Sequence, residues 1–157
     1  MRKQRGFSLI ELLIVVAIIL IIAAIAIPNL LRARIASNES SAVASVRTIN
    51  TAMISYNSSY PSIGYAANLT TLTGTCTGGV TPSSGAACLI DTTLAAGTKS
   101  GYNFSAAGTS GGYAVWASPV TLNTTGVNSF CSVADAVVRE IPGTSVSTCA
   151  GTETPLQ

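Results

Sequence analysis

The feature that most constrains this chain is an unbroken apolar run of sixteen residues from Leu12 to Ile27. The run lies inside a longer stretch, from Phe7 to Leu31, that contains few polar residues. A helix needs roughly 20 consecutive apolar residues to cross the hydrocarbon core of a bilayer. The stretch is therefore long enough to span a membrane as one helix.

The distribution of charge predicts how such a helix would be oriented. Three of the eight basic residues, Arg2, Lys3 and Arg5, precede the run, which leaves five basic against six acidic residues in the rest of the chain. Lys and Arg beside a membrane span stay on the cytoplasmic side. We therefore expect everything after Leu31 to be exported. The remainder offers no basic patch, so no specific nucleic-acid site is predicted.

The cysteines fit an exported protein. There are four of them, all after Leu31, at Cys76, Cys88, Cys131 and Cys149. No CxxC pair and no histidine are present, so neither a zinc site nor any other metal or cofactor is predicted. Disulfides are expected in an oxidising compartment. Of the three possible pairings, Cys76–Cys88 with Cys131–Cys149 is favoured because each closes a short loop, although sequence alone cannot prove it.

Glu11 does not fit an ordinary signal peptide or a simple anchor. The apolar stretch is too long for a secretory signal, and no small-residue cleavage site follows it. A charge at the middle of a membrane costs about 2.5–3.5 kcal/mol, so a simple anchor would gain by having leucine in this place. Either Glu11 is a helix-end side chain that reaches the lipid headgroups, or its carboxylate has a partner.

The first twelve residues resemble the leader of type IV prepilins and pseudopilins. The basic leader ends in Lys3-Gln4-Arg5-Gly6, and Phe7-Ser8-Leu9-Ile10-Glu11-Leu12 follows. In that family a membrane peptidase cleaves after the glycine, here Gly6, and methylates the new N-terminus, here Phe7. The family's glutamate is the fifth residue after the cut, which matches Glu11. The resemblance covers about residues 1 to 60 well and the rest only in general organisation.

The resemblance implies a role in assembly for Phe7, Glu11 and Pro28. After cleavage Phe7 carries a positive amine, and Glu11 of a neighbouring helix is expected to neutralise it and to fix the axial register. Breaking such a pair in a poorly hydrated environment leaves an uncompensated charge. The implied partners are identical subunits in a helical filament, the prepilin peptidase/methyltransferase, an inner-membrane assembly platform, and membrane lipid before assembly.

The helical pattern continues beyond the apolar run. Pro28 predicts a kink or a loosened turn, because it removes a backbone donor. The apolar residues beyond it recur at helical spacing and form one stripe, namely Ile35, Ala42, Val46, Ile49, Met53, Tyr56 and Tyr60. The polar face opposite is predicted at Arg34, Asn38, Ser41, Ser45 and Arg47. Because Tyr60 precedes Pro61, one helix is predicted from about Phe7 to about Ser58.

The predicted fold is α+β, a pilin-like lollipop in which a long N-terminal helix packs on a small antiparallel β-sheet head. Residues 1–6 form the cleaved leader, 7–31 the transmembrane or filament-core helix, and 32–58 an amphipathic helix that continues into the head. Residues 59–157 form the disulfide-stapled head. Its three or four strands are predicted around Tyr102–Phe104, Tyr113–Ala117, Phe130–Val133 and Val137–Ile141, with a hairpin turn at Ala134–Ala136.

Several kinds of chemistry are disfavoured by composition. The chain contains no histidine, which excludes Ser/His/Asp and Cys/His catalysis. No pair of carboxylates suggests a glycoside hydrolase. The sequence therefore predicts a protein that is not an enzyme.

The leading interpretation, implied by the resemblance, is a structural subunit of a type IV pilus that serves adhesion, twitching motility or DNA uptake. Its precursor would lie in the bacterial inner membrane, and the filament outside the cell. One alternative is a periplasmic pseudopilin of a type II secretion system; many major pseudopilins lack disulfides and carry a calcium-binding loop, so the four cysteines and the absent acidic cluster favour the pilin. A second alternative is a monomeric membrane-anchored binding module.

Overall fold

The computed structural model describes residues 7–74 and 81–156. The chain divides into two compact units, Met1–Arg34 and Ile35–Gln157, which we call the N-terminal and the C-terminal unit. One helix, α1 (Leu9–Ser59), contributes residues to both. The predicted helix is confirmed, with its start two residues later and its end one residue later than expected.

The two prolines near α1 have different effects. Pro28 lies inside the helix, which continues through it. Because proline has no amide hydrogen, the carbonyl of Ala24 loses its helical donor there. Pro61 follows the C-terminal end, where the amide of Tyr60 still donates to the carbonyl of Tyr56 at 2.9 Å. The second proline, but not the first, therefore ends the helix.

The C-terminal unit contains one antiparallel sheet of six strands, whose order in the sheet is their order in the sequence. Two single-turn helices, α2 (Leu69–Leu72) and α3 (Thr92–Ala95), precede the sheet. The strands are β1 (Thr98–Lys99), β2 (Tyr102–Gly108), β3 (Tyr113–Pro119), β4 (Asn128–Val133), β5 (Arg139–Pro142) and β6 (Thr154–Pro155). The fold class is α+β, as predicted.

The sheet has more strands than the three or four expected. The additional ones, β1 and β6, are two residues long and too short to show any alternation in sequence. The fourth predicted strand begins two residues late, at Arg139, because the preceding segment forms the hairpin turn. In that turn Ala136 has a φ of 59°, and the amide of Val137 donates to the Asp135 carboxylate.

The core of the C-terminal unit forms between α1 and one face of the sheet. Residues alternate between buried and more exposed positions along β2 and β3, as expected for strands with one covered face. The predicted helix stripe supplies the other half of the core: Ala42, Val46, Ile49, Met53 and Tyr56 are buried and Tyr60 packs against them. Ile35, at the start of the unit, is only half-buried.

The predicted polar face of α1 is partly wrong. Ser45 is buried, with 5% exposure, and Asn38 and Ser41 are half-buried, whereas Arg34 and Arg47 are exposed as expected. Loops of the sheet form hydrogen bonds with two of these side chains, Asn38 and Ser41. An amphipathic pattern shows which side chains avoid water but not which polar ones are covered by a loop distant in sequence.

Candidate functional site

The start of α1 contains the glutamate half of a capping box, the bond from the N-cap amide to the Glu11 carboxylate. Ser8 precedes the first helical residue, and its carbonyl accepts the amide of Leu12 at 3.3 Å. The Oε2 atom of Glu11 accepts the backbone N–H of Ser8 at 2.9 Å. A glutamate three residues after an N-cap serine commonly returns to the amide of that serine. The Glu11 carboxylate is therefore fixed beside the backbone that directly follows Phe7.

This bond explains why Glu11 is tolerated at the start of the helix. It uses only one of the two carboxylate oxygens of Glu11. A negative charge in the first turn is favourable, because unpaired amides and the helix dipole make this end positive. Within the part of the chain that the structure describes, the second oxygen, Oε1, accepts no hydrogen bond. Chemically, this free oxygen can accept a cationic donor from outside the subunit.

The surface around this site is strongly apolar and exposed. Large apolar side chains from Phe7 to Leu31 keep between 44% and 83% of their surface exposed. By length and composition α1 is able to cross a membrane. Its most apolar segment of 18 residues has a mean hydropathy of 3.3, and none of these residues is buried within the subunit. Exposed apolar surface of this extent marks a membrane or protein contact.

Three side chains of α1 connect the helix to loops of the sheet; we call Asn38, Glu39 and Ser41 the latch. Glu39 Oε1 accepts the amides of Val127 and Asn128 at 2.9 and 3.0 Å. Asn38 Nδ2 donates to the carbonyl of Thr125 at 2.8 Å, and Ser41 Oγ donates to Ser100 Oγ at 3.0 Å. The latch therefore fixes the β1–β2 and β3–β4 loops against the beginning of the C-terminal unit.

The structure contains the predicted Cys131–Cys149 disulfide, with a Cα–Cα distance of 5.6 Å. It joins β4 to the segment that follows β5. The other predicted pair, Cys76–Cys88, stays a prediction: Cys88 is disulfide-bonded, but Cys76 lies outside the described residues.

Beside this disulfide lies an ion pair between a buried arginine and an exposed aspartate. Arg139 has 7% exposure, and its Nη1 donates to Asp135 Oδ1 and to the Val137 carbonyl, both at 3.0 Å. Its Nη2 also binds Asp135 Oδ2. The hydrogen bond from Arg139 holds the pKa of Asp135 below its ordinary value, and the Ala150 amide does the same for Glu153. The hairpin between β4 and β5 is therefore held by charge as well as by backbone bonds.

Two other features of the C-terminal unit offer no catalytic chemistry. The sulfurs of Cys131 and Cys149 lie near the Glu153 carboxylate, but both are used in the disulfide and supply no thiolate to a metal. A cavity of about 250 Å³ between α2, α3 and β2 has no titratable side chain in its lining. Among the described residues, the N-terminal helix start is therefore the feature with the clearest capacity to bind a partner.

The predicted assembly residues fall in different places. Phe7 and Glu11 both lie at the helix start, Pro28 lies well inside α1, and Gly6 lies outside the described residues. Sequence reasoning overlooked Ser8, which interrupts the apolar stretch because it is the N-cap. The S-x-x-E pattern of Ser8 to Glu11 is a recognised helix-start signal and was sufficient to find it. Glu39 gave no comparable signal, since its partners are 88 and 89 residues away.

Comparison with known proteins identifies a family motif at the N-terminus of this chain. Residues 1–27 match the family described as the prokaryotic N-terminal methylation motif. The chain is similar to the type IV wide pilus major component PilA4 of Thermus thermophilus, with 64% identity over 39 residues. That match covers 25% of this chain and 30% of the relative.

A second relative is the type IV major pilin protein PilA of Myxococcus xanthus, with 50% identity over 54 residues. That match covers 34% of this chain and 24% of the relative, so this chain spans less than a third of the length of either protein. No solved structure gives a significant match. The N-terminus of this chain therefore carries a type IV prepilin motif, and parts of the chain are similar to two major pilins.

Proposed function

We propose that this chain is a structural subunit of a type IV pilus, built by packing of N-terminal helices after leader cleavage and N-methylation, rather than an enzyme. The single observation that supports this most strongly is the combination at the helix start. A methylation motif, an exposed apolar helix and a carboxylate with one free oxygen lie within one short segment. The similarity to two major pilins supports the same function.

The proposal assigns each predicted segment a role. Residues 1–6 are the leader that a prepilin peptidase removes between Gly6 and Phe7, and the same enzyme methylates Phe7. Residues 7–31 cross the inner membrane in the precursor and form the core of the filament afterwards, with 32–58 leading into the head of residues 59–157. An inner-membrane assembly platform inserts each subunit, and the filament extends outside the cell.

Assembly follows from the chemistry of the helix start. The apolar surface of residues 7–31 has no cover within the subunit and is buried either by lipid or by identical helices. The ammonium of Phe7 is a strong donor, and the free Oε1 of Glu11 in a neighbouring helix is a matching acceptor. In a poorly hydrated core each of these charges needs the other, so the pair selects one axial register.

The proposed function is tested by deleting the gene and by recovering filaments sheared from the surface of wild-type cells. We expect sheared fibres composed mainly of this chain, and a strain without fibres after deletion. Fibres that lack this chain, together with loss of enzyme secretion in the deletion strain, would instead identify a pseudopilin. A chain that is recovered only as a monomer in the membrane would support the binding-module alternative.

A further inference from the structure

Among the described residues, the two arginines at the end of the apolar stretch have no acidic partner. Arg32 and Arg34 follow Leu31 directly and are exposed. The side chains three and four positions away on either side of each arginine include no carboxylate. Neither arginine takes part in an ion pair among the described residues. Since an acid at such spacing is the usual partner on a helix surface, these charges remain available to a ligand.

The position of the arginines along the helix matches the thickness of a bilayer. From Glu11 to Arg32 there are 21 steps, which is roughly 32 Å at the rise of an α-helix. The hydrocarbon core of a bilayer is about 30 Å thick. If Glu11 lies at one boundary of the hydrocarbon core, Arg32 lies at the other. Arg34 is two residues further along the helix and therefore lies in the headgroup layer. Both guanidinium groups then face phosphates.

We propose that Arg32 and Arg34 form a binding site for the phosphate groups of anionic phospholipids in the outer leaflet of the inner membrane. A guanidinium binds phosphate with two parallel hydrogen bonds, which an ammonium does not. The inference rests on the proposed function, because it requires that residues 7–31 cross the membrane in the precursor. The site would retain the subunit in the bilayer until assembly withdraws it.

A carboxylate of a second copy is a less suitable partner. Of the six acidic residues, four already accept hydrogen bonds within their own subunit, namely Glu39, Asp91, Asp135 and Glu153. A fifth, Glu11, is assigned to the Phe7 ammonium of a neighbour in the proposed assembly. Phosphates, in contrast, are present along the whole membrane boundary where the two arginines lie. Charge and position therefore favour lipid over a neighbouring subunit.

The test uses the full-length chain in phosphatidylcholine vesicles that contain traces of spin-labelled phosphatidylglycerol or phosphatidylcholine. The measured quantity is the association of each lipid with the protein, from the fraction of label whose motion is restricted. Single Arg32→Gln and Arg34→Gln variants are compared with Arg47→Gln. Arg47 is also exposed on α1 and loses the same charge, but lies 13 residues beyond Arg34.

We expect the wild type to prefer phosphatidylglycerol, and each of the first two substitutions to lower that preference roughly two- to fivefold. Arg47→Gln should leave it unchanged. The basic leader contributes equally in every variant. Differences in lipid preference between the variants therefore measure the contribution of Arg32 and Arg34. Equal preference in all four chains would overturn the headgroup site.

Two further outcomes separate this inference from the proposed function. A chain that does not float with the vesicles would overturn both, because the helix then fails to insert. A chain that inserts and keeps its lipid preference in Arg32→Gln and Arg34→Gln, while both variants lose filaments in cells, would overturn only the lipid site. That result would assign the arginines to a neighbouring subunit instead.

Discussion

At the scale of single residues, the two oxygens of Glu11 have different surroundings. Oε2 accepts the Ser8 amide and so stabilises the first turn of α1, and Oε1 accepts no bond within the described part of the subunit. The same side chain is thus able to cap its own helix and to meet the Phe7 ammonium of a neighbour. These two roles depend on different chemistry: the cap requires an acceptor, and the pair requires a charge.

Glu11→Gln separates the cap from the charge. Glutamine also serves in a capping box, so the helix start should be kept while the negative charge is lost. We expect the precursor to be cleaved normally and the yield of sheared filaments to fall about tenfold or more, because the charge partner of the Phe7 ammonium is lost. Immunoblots of whole cells and sheared fractions measure both steps. A Gln variant with wild-type filament yield would show that capping, and not pairing, is what Glu11 supplies.

The ion pair at the β4–β5 hairpin predicts how stability depends on pH. The pKa of Asp135 is lowered by its hydrogen bond from Arg139, so folding is favoured while Asp135 is ionised. This contribution is complete above the unfolded value of about 4 and is lost as the pH falls through the lower folded value. Asp135→Asn should lower the free energy of unfolding at pH 7. Below about pH 4, the free energy of unfolding should decrease less with falling pH in this variant than in the wild type. Denaturant unfolding of the detergent-solubilised chain measures this, and an unchanged acid dependence would contradict it.

At the scale of secondary-structure elements, the latch connects α1 to loops that no local pattern links to it. Glu39 accepts two backbone amides through one oxygen, and both donors lie at the start of β4. Beside it, Gly101 has a φ of 75°, and a Cβ there would lie 3.1 Å from Asn38 Nδ2. The helix and these loops are therefore fitted closely, and the glutamate supplies the most hydrogen bonds among the latch residues.

Glu39→Ala tests the latch. Removing the carboxylate leaves two amides without their acceptor, which should lower the free energy of unfolding by about 1–3 kcal/mol. Glu39→Gln keeps an acceptor oxygen and should cost less than half as much. Both values come from denaturant titration of the solubilised chain. If the alanine variant were as stable as the wild type, these bonds would contribute nothing.

The Cys131–Cys149 disulfide is expected to stabilise the end of the sheet. The cysteines are 18 residues apart, and a loop of that length contributes about 3 kcal/mol. Replacing both by serine avoids leaving one free thiol and should reduce the free energy of unfolding by 2–4 kcal/mol, a range typical of such bridges. Dithiothreitol should then have less effect on the variant than on the wild type. An equally stable double variant would contradict this role.

Helices and strands were predicted well where neighbouring residues determine them, and poorly where residues distant in sequence determine them. α1 was predicted to within two residues, because its apolar periodicity and its terminating proline are local signals. β2 and β3 were placed correctly but too short, since their ends are set by pairing with each other. β1 and β6 escaped detection because two residues carry no pattern. The partial burial of Asn38 and Ser41 was missed because their hydrogen-bond partners lie in loops distant in sequence.

At the scale of the whole molecule, the two units differ in how they bury apolar surface. The C-terminal unit has its own core between α1 and the sheet. In the N-terminal unit the described residues from Leu9 onward are helical, and the most apolar segment of this helix has no residue buried within the subunit. Under the proposed function, this surface is covered by lipid in the precursor and by other copies in the filament. The proposed removal of the leader would place the positive amine of Phe7 at the start of the helix.

Under the proposed function, this chain enters a filament with Phe7 as its first residue and with a methylated amine. Mass spectrometry of the N-terminal peptide from sheared fibres measures both features. We expect a peptide that begins at Phe7, carries one added methyl group on its α-amine, and lacks residues 1–6. Fibres whose subunits retain Met1, or whose first residue is not Phe7, would contradict the account.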